Sequence, residues 1–399
     1  MSKIMIKREK YLKQIREFYD SDLVKIITGI RRSGKSIILE EIIEEIKERT
    51  DNVLYLNFEK ASDLIKAGTV SALIDYVRNN RKEGKCYLFL DEIQEIEEWP
   101  IAVKDLRLAD CSIFITGSNS KLLSGEITKY LSGRFVSIRV RPFVYKEIIE
   151  YAKATGMSID PNEYLVWGGF PGRLEVNSLE STQRYLNDLD STIVLNDLIN
   201  RYKIKKQAVF IRIVNYILLN NSRIFSIRSI HKYIKNDYPE ISTATVAKYV
   251  DYLKKAYIID ELPQYSNKAK KELSFYGKIY NADVALNSIR VSNGRYDLEH
   301  NLENIVYNEL IYMGYELFVF SNNGKEIDFM ATKDGKTYFV QVAYSVTDSK
   351  AYDREFNAFK GLDNLNEKIL ITTDPIDYST SAIRHIKFND FLLMNDLKQ

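Results

Sequence analysis

The sequence predicts an α/β protein of several domains, and three observations carry that prediction. In residues 1–142, continuous apolar runs alternate with amphipathic helical patterns, as in a mainly parallel sheet covered on both faces. The first of those runs feeds directly into a glycine-rich loop and then a helix. Beyond residue 273, a helical pattern followed by several strand-like runs forms a second α/β series. A chain of 399 residues is also longer than one hydrophobic core usually organises.

In residues 1–142 the strand-like runs are "LVKIIT", "VLYLNF", "CYLFLDE", "SIFITG" and "VSIRV", separated by helical patterns such as "SIILEEIIEEIKERT" and "LIDYVRNN". Residues 143–205 read as helical, broken by "WGGFPG" at 167–172, and suit a small helical lid. Residues 206–272 read helix, helix, helix, strand, which is a winged-helix pattern. Residues 273–399 continue as the helix "LEHNLENIVYNELIYMG" and the strands "ELFVFS", "EIDFMA", "TYFVQVAYS" and "EKILITTD".

Composition narrows the classes. No stretch of 18 apolar residues and no signal-peptide pattern is present, so the expectation is a cytoplasmic protein without a membrane partner. Cys86 and Cys111 sit in apolar runs without metal-ligand spacing, and His231, His300 and His385 are scattered, so disulfides and structural zinc are not expected. Net charge is +2, but residues 201–278 hold 16 Lys and Arg against 6 Asp and Glu, leaving the remainder at −8. A basic middle between acidic flanks suits either a polyanion partner or a solvated basic surface.

The chemistry begins at "GIRRSGKS", residues 29–36, which matches G-x-x-x-x-G-K-[ST] between a strand and a helix. Gly29 and Gly34 let the loop of Ile30, Arg31, Arg32 and Ser33 turn its N–H groups toward phosphate, and the helix N-terminus carrying Ile37 favours the anion. Lys35 would reach the β and γ phosphates of ATP, and Ser36 would offer a hydroxyl to Mg²⁺. "CYLFLDEIQ" supplies the carboxylates: Asp91 as the Mg²⁺ partner through water, Glu92 as general base. "FITGSNS" sets Ser118, Asn119 and Ser120 at the carboxyl edge of the next strand, with Asn119 the candidate to sense the γ-phosphate or hold the water.

With "ITGIRRSGKS", "YLFLDEIQ", "ITGSNS", "LSGRF", "RPFVYKEI" and "WGGFP" the chain resembles AAA+ P-loop ATPases of bacteria and archaea that carry a winged helix and a restriction-endonuclease-like tail. The resemblance implies an arginine finger at Arg134, acting on a neighbouring subunit's nucleotide in a homo-oligomer; the other reading is an intrachain salt bridge. Asn57 resembles the residue that restrains the general base in such proteins, or is a plain strand-end Asn.

The third helix of the winged-helix pattern, "STATVAKYVDYLKKA", has Ser242 and Thr243 as cap candidates and Thr245, Lys248 and Lys255 on its polar face. Residues 206–272 are therefore the candidate surface for double-stranded DNA, a protein partner being the other reading. In nucleases of the tail's type, a helix acid, a strand Asp and a Glu-x-Lys strand surround metal. Glu303 and Asp328 stand where the first two are expected, but Gln341 and Ala343 stand where Glu and Lys are expected. An amide is a poor Mg²⁺ ligand and a methyl group moves no proton, so the tail reads as catalytically degenerate. The leading expectation is a Mg²⁺-dependent ATPase coupled to nucleic-acid or partner binding. The alternatives are an ATP-regulated DNA nuclease and a slow-turnover ATP-loaded switch or scaffold for a protein partner.

Overall fold

The computed structural model describes residues 6–119, 122, 130, 131, 133–176, 178–265, 277–291, 293–362 and 365–399. Ser120 and residues 266–272 of the candidate DNA surface lie outside them. The chain divides into two compact units, 1–142 with 255–257, and 143–254 with 258–399. The segment read as a lid, 143–205, thus groups with the C-terminal half of the chain.

In the first unit, α1 (Glu9–Arg16) precedes β1 (Val24–Thr28), α2 (Lys35–Lys47), β2 (Val53–Asn57), α3 (Ala61–Ala67), α4 (Val70–Asn80), β3 (Cys86–Asp91), α5 (Trp99–Leu108), β4 (Cys111–Gly117) and β5 (Phe135–Arg139). The strands form one parallel sheet in the order β2-β3-β4-β1-β5. β1, β3 and β4 are buried along their whole length, which is why their apolar runs do not alternate. Ile38, Leu39, Ile42 and Ile46 of α2 are buried at helical spacing, each worth roughly 1.5–3 kcal/mol when removed from water. Cys86 and Cys111 are free thiols inside this core, as expected. The order sets β1 between β4 and β5, so the loop after β1 and the ends of β3 and β4 share the carboxyl edge.

The second unit opens with α6 (Tyr145–Thr155), α7 (Pro161–Trp167) and α8 (Leu179–Thr192), the last running into a π-helical stretch, Ile193–Asn200. The "WGGFPG" segment is a packing node. Gly168 has φ +61°, and a Cβ there would lie 1.6 Å from the Asp283 carboxylate. Gly169 donates its N–H to Asp283 Oδ2 at 2.7 Å, and Arg173 Nε donates to Gly168 O at 2.6 Å. Backbone approach this close leaves no room for a side chain.

Next come α9 (Gln207–Leu219), β6 (Ile224–Phe225), α10 (Ile227–Lys235), α11 (Thr243–Lys255), β7 (Ile259–Leu262) and β8 (Gly277–Asn281). The three strands form an antiparallel sheet in the order β6-β8-β7. Ser226 caps α10, its Oγ accepting from Ser229 N at 3.0 Å, and Ser242 caps α11, accepting from Thr245 N at 3.1 Å. β8 falls past residue 272, so the strand that completes this sheet belongs to the segment assigned to the tail from sequence.

The remainder is α12 (Ala285–Ser288), α13 (Leu298–Met313), β9 (Glu316–Asn322), β10 (Lys325–Lys333), β11 (Lys336–Ala343), α14 (Ser349–Ala358), β12 (Glu367–Thr372), β13 (Arg384–Lys387) and α15 (Phe388–Phe391). Its sheet runs β13-β12-β11-β10-β9, antiparallel across β9, β10 and β11 and parallel from β11 to β13. Between Ile327 and Met330 the β9–β10 register shifts by one residue, a bulge that includes Asp328. Bulges of this kind re-aim a side chain. Among the described residues no helix is long and apolar enough to cross a membrane.

Candidate nucleotide site and acid cluster

β1 ends at Thr28 and the chain turns at Gly29, whose φ of +145° and whose distance of 2.1 Å from a built Cβ to Val140 O admit no side chain. Gly34, at φ +96°, swings the backbone into α2, which begins at Lys35. Ile30 and Ser33 are buried, Ile37 is half-buried and Arg32 is exposed. Arg31 leans out to Glu59 at 3.1 Å. The loop is braced by a residue the sequence did not single out: Arg8 donates to Ser33 O at 2.8 Å and Arg141 O at 3.0 Å, its guanidinium 4.6 Å from the Tyr11 ring centre.

Lys35 is buried and donates to Ile30 O at 3.2 Å, with Glu92 Oε1 3.8 Å away. Ser36 Oγ lies 3.2 Å from Asp91 Oδ1, joining the start of α2 to the end of β3. Asp91 is fully buried; its Oδ1 also accepts from Thr116 Oγ1, and its Oδ2 accepts from Tyr55 at 3.3 Å and Asn57 at 3.1 Å. Burial pushes its carboxyl upward, and the hydroxyls of Thr116 and Ser36 pull the other way. Asn57 therefore holds Asp91. The β2–β3 register sets Asn57 beside Asp91.

Glu92 follows β3 in the left-handed region, φ 54°, which a β-carbon-bearing residue enters only when its surroundings compel it. Its N–H donates to Thr116 Oγ1 at 2.9 Å and its carboxylate accepts from Gln94. Thr116 thus fixes both acids from β4. Ser118 and Asn119 are buried just past β4, and Ser118 Oγ and Ser33 Oγ are buried hydroxyls without a hydrogen-bond partner among the described residues. A native site rarely leaves such groups unsatisfied. Two orphaned hydroxyls at the carboxyl edge, a glycine cradle, a buried lysine and a hydroxyl–carboxylate pair fit ATP with Mg²⁺.

Arg134 lies at the other edge. It precedes β5, Val24 pairs with Phe135, and Thr28 pairs with Arg139 at the far end. Five residues at about 3.3 Å each put roughly 16 Å of strand between Arg134 and the loop's level. Its exposed guanidinium meets Asp22 at 3.2 Å, which also binds Arg107 at 2.9 Å.

In the second unit, Glu303, Asp328 and Gln341 come together and Ala343 does not join them in any polar role. Ala343 is buried in an apolar cluster with Phe339, Val346 and Leu370. Gln341 Oε1 accepts from Asp328 N at 3.3 Å and its Nε2 donates to Glu355 at 2.7 Å. Glu303 and Asp328 both bind Lys278 of β8, each at 2.8 Å. Neither Lys278 nor Glu355 was legible as part of this site. Lys325 is turned away, donating to Asn357 O at 3.1 Å. Among the described residues no three His, Cys, Asp or Glu side chains are arranged to hold a metal ion.

Residues 21–149 match the model of an AAA domain, and with the parallel sheet and the loop after β1 they form an AAA-type P-loop ATPase domain. Residues 159–293 and 299–390 match two domains of unknown function, DUF8612 and DUF4143. Over 382 residues the chain is 33% identical to an "Uncharacterized protein" of Haemophilus influenzae, spanning 93% of this chain and 94% of that one. It is 30% identical over 377 residues to "Uncharacterized protein MJ1544" of Methanocaldococcus jannaschii, spanning 88% and 82%. The chain belongs to the family of these proteins. Among solved structures, the Walker-type ATPase PABY2304 of Pyrococcus abyssi aligns with TM-score 0.49 and 16% identity, over 72% of this chain and 96% of that one. AMPPCP-bound DnaA from Aquifex aeolicus aligns with TM-score 0.33 and 16% identity, over 63% and 89%.

Proposed function

We propose that this protein binds and hydrolyses ATP with Mg²⁺ and couples the nucleotide state to a winged-helix subdomain and a nuclease-like tail that does not cleave. The observation that carries the reading is the meeting of Ser36 with Asp91 at 3.2 Å, beside Lys35 and Glu92 at 3.8 Å, on the edge where the glycine loop opens.

Mg²⁺ bound there would neutralise phosphate charge. Lys35 is buried beside the cradle, where its amine would bind the phosphates. Ser36 and Asp91 would hold the metal. Glu92 orients and deprotonates the attacking water, its backbone locked by Thr116, and Asn119 is positioned to hold that water or the γ-phosphate. Arg134 is too far along β5 to act on its own nucleotide, which favours a role toward the neighbouring subunit of a homo-oligomer.

Three helices with an antiparallel sheet in the order β6-β8-β7 support the winged-helix reading, with its end moved from 272 to 281. Arg228, Lys232 and Lys235 are exposed at i, i+4 and i+7 on α10, a helix with no acidic residue, which favours double-stranded DNA over a neutral protein face. Gln341 and Ala343 support a non-cleaving tail.

The test is ATP binding and turnover by wild type, Lys35→Ala and Glu92→Gln. Lys35→Ala should lose binding, and Glu92→Gln should bind but turn over at least about a hundredfold more slowly. Wild-type turnover in Glu92→Gln would overturn the assignment of the base.

A further inference from the structure

A cavity of about 840 Å³ opens over the acid cluster, bounded by Arg223 beside β6, Lys278 on β8, Glu303 on α13, Asp328 on β10 and Glu355 on α14. At its floor the Lys278 ammonium touches three carboxylates: Glu326 Oε1 at 2.7 Å, Glu303 Oε1 at 2.8 Å and Asp328 Oδ1 at 2.8 Å. An ammonium has three donors. Here each finds its own carboxylate. Burial opposes the charge on Lys278, but Asp328, Glu303 and Glu326 outweigh it and hold its pKa well above the usual lysine value.

The cage is built to keep this arrangement. Asp328 Oδ2 accepts from Val342 N at 2.9 Å, and Glu303 Oε1 also accepts from Tyr280 OH at 2.6 Å. The bulge in β10 aims Asp328 inward. Lys278 is the residue of β8 paired with Ile224 of β6 on one side and Leu262 of β7 on the other. Its backbone is thus fixed in the middle of the three-stranded sheet while its side chain ends among the acids of α13 and β10.

Carboxylate oxygens converging on one point are what a hard divalent cation takes as ligands. A lysine ammonium is a compact point charge of the same sign. The two cannot occupy one cage at ionic contact.

We infer that the acid cluster is a cation site whose resident cation is Lys278, a tethered substitute for a divalent metal that also ties the three-stranded sheet to the tail. The inference rests on the reading of the tail as a nuclease-like domain that does not cleave, and it names what fills the metal's place. Removing the charge while keeping the length, as in Lys278→Met, leaves three carboxylates facing one another without a cation, free to close together around Mn²⁺ or Mg²⁺ in the ammonium's place.

The experiment is Mn²⁺ titration, followed by electron paramagnetic resonance, of the nucleotide-free full chain as wild type, Asp328→Asn, Lys278→Met and the double variant. Wild type and Asp328→Asn should bind Mn²⁺ alike. Lys278→Met should gain one further Mn²⁺ per chain, at least tenfold tighter than any wild-type site, and the double variant should lose it. A folded Lys278→Met without the added site overturns the inference. So does wild-type Mn²⁺ binding that Asp328→Asn abolishes, a comparison that holds even where Lys278→Met does not fold. Metal-dependent DNA cleavage by the wild type, lost in Asp328→Asn, would instead overturn the non-cleaving reading of the tail on which the inference rests.

Discussion

Ser36 Oγ and Asp91 Oδ1 are 55 residues apart in sequence and 3.2 Å apart in space, and Thr116 holds the same carboxylate oxygen from the neighbouring strand β4. Hydroxyl and carboxylate therefore face one point at the sheet's carboxyl edge. Asp91→Asn and Ser36→Ala should each remove the Mg²⁺ dependence of nucleotide affinity while leaving a weak metal-free affinity. Titration of ATP with and without EDTA checks this, and unchanged Mg²⁺ dependence in both variants would remove the pair from the metal site. Thr116→Val should be costlier than a surface change, by about 1–3 kcal/mol in unfolding free energy, because Glu92 N and Asp91 lose a buried partner.

Arg134 offers a separable prediction. Its ion pair with Asp22 is exposed on both sides, 57% and 60%, so Arg134→Ala should change stability by no more than about 1 kcal/mol. Turnover should nevertheless fall by about tenfold or more if the guanidinium acts across a subunit interface. Mixing Arg134→Ala chains with Glu92→Gln chains is the decisive measurement. Mixed assemblies that recover activity support action in trans, whereas full activity in Arg134→Ala alone leaves only the intrachain salt bridge.

The candidate nucleotide site was legible because its chemistry is local. The loop from Gly29 to Ser36 is contiguous, and Asp91, Glu92, Ser118 and Asn119 fall at the ends of strands whose apolar runs announce them. What was not legible depends on strand order and register. Thr116 matters because β4 lies beside β3, and Asn57 reaches Asp91 because of the β2–β3 register. Arg8 sits in a charged N-terminal stretch that looks solvated until α1 packs. Lys278 is the sharpest case: in "YGKIYN" it resembles a surface lysine, and only the order β6-β8-β7 reveals β8 as a central strand. Glu355 reads as one more acid on an amphipathic helix until Gln341 points at it.

The basic face of α10 predicts a salt signature. If Arg228, Lys232 and Lys235 each neutralise a phosphate, replacing all three by Ala should flatten the slope of log K against log salt for duplex DNA by about 2.7. All three are exposed, so the fold should tolerate the change. Fluorescence anisotropy at several salt concentrations gives the slope. An unchanged slope would move the DNA surface elsewhere or favour a protein partner.

Glu309 yields a prediction about pH. It is wholly buried on α13, where its Oε1 accepts from Tyr145 N at 2.9 Å and Tyr164 OH at 3.0 Å. Burial pushes its pKa up to about 7, from the ordinary carboxyl value of 4.5, and the two donors only partly offset this. An acid whose folded pKa is raised binds its proton more tightly when folded. Its contribution to stability is fully present below the unfolded value, near 4.5, and is lost as pH rises through about 7. The size is on the order of 1–3 kcal/mol, since one pKa unit corresponds to about 1.4 kcal/mol. Glu309→Gln keeps an oxygen for both donors and carries no charge, so the variant should gain stability relative to wild type at pH 8 and show no such gain at pH 4. Chemical denaturation of both proteins at the two pH values measures it, and equal differences at both would mean that Glu309 does not titrate in this range.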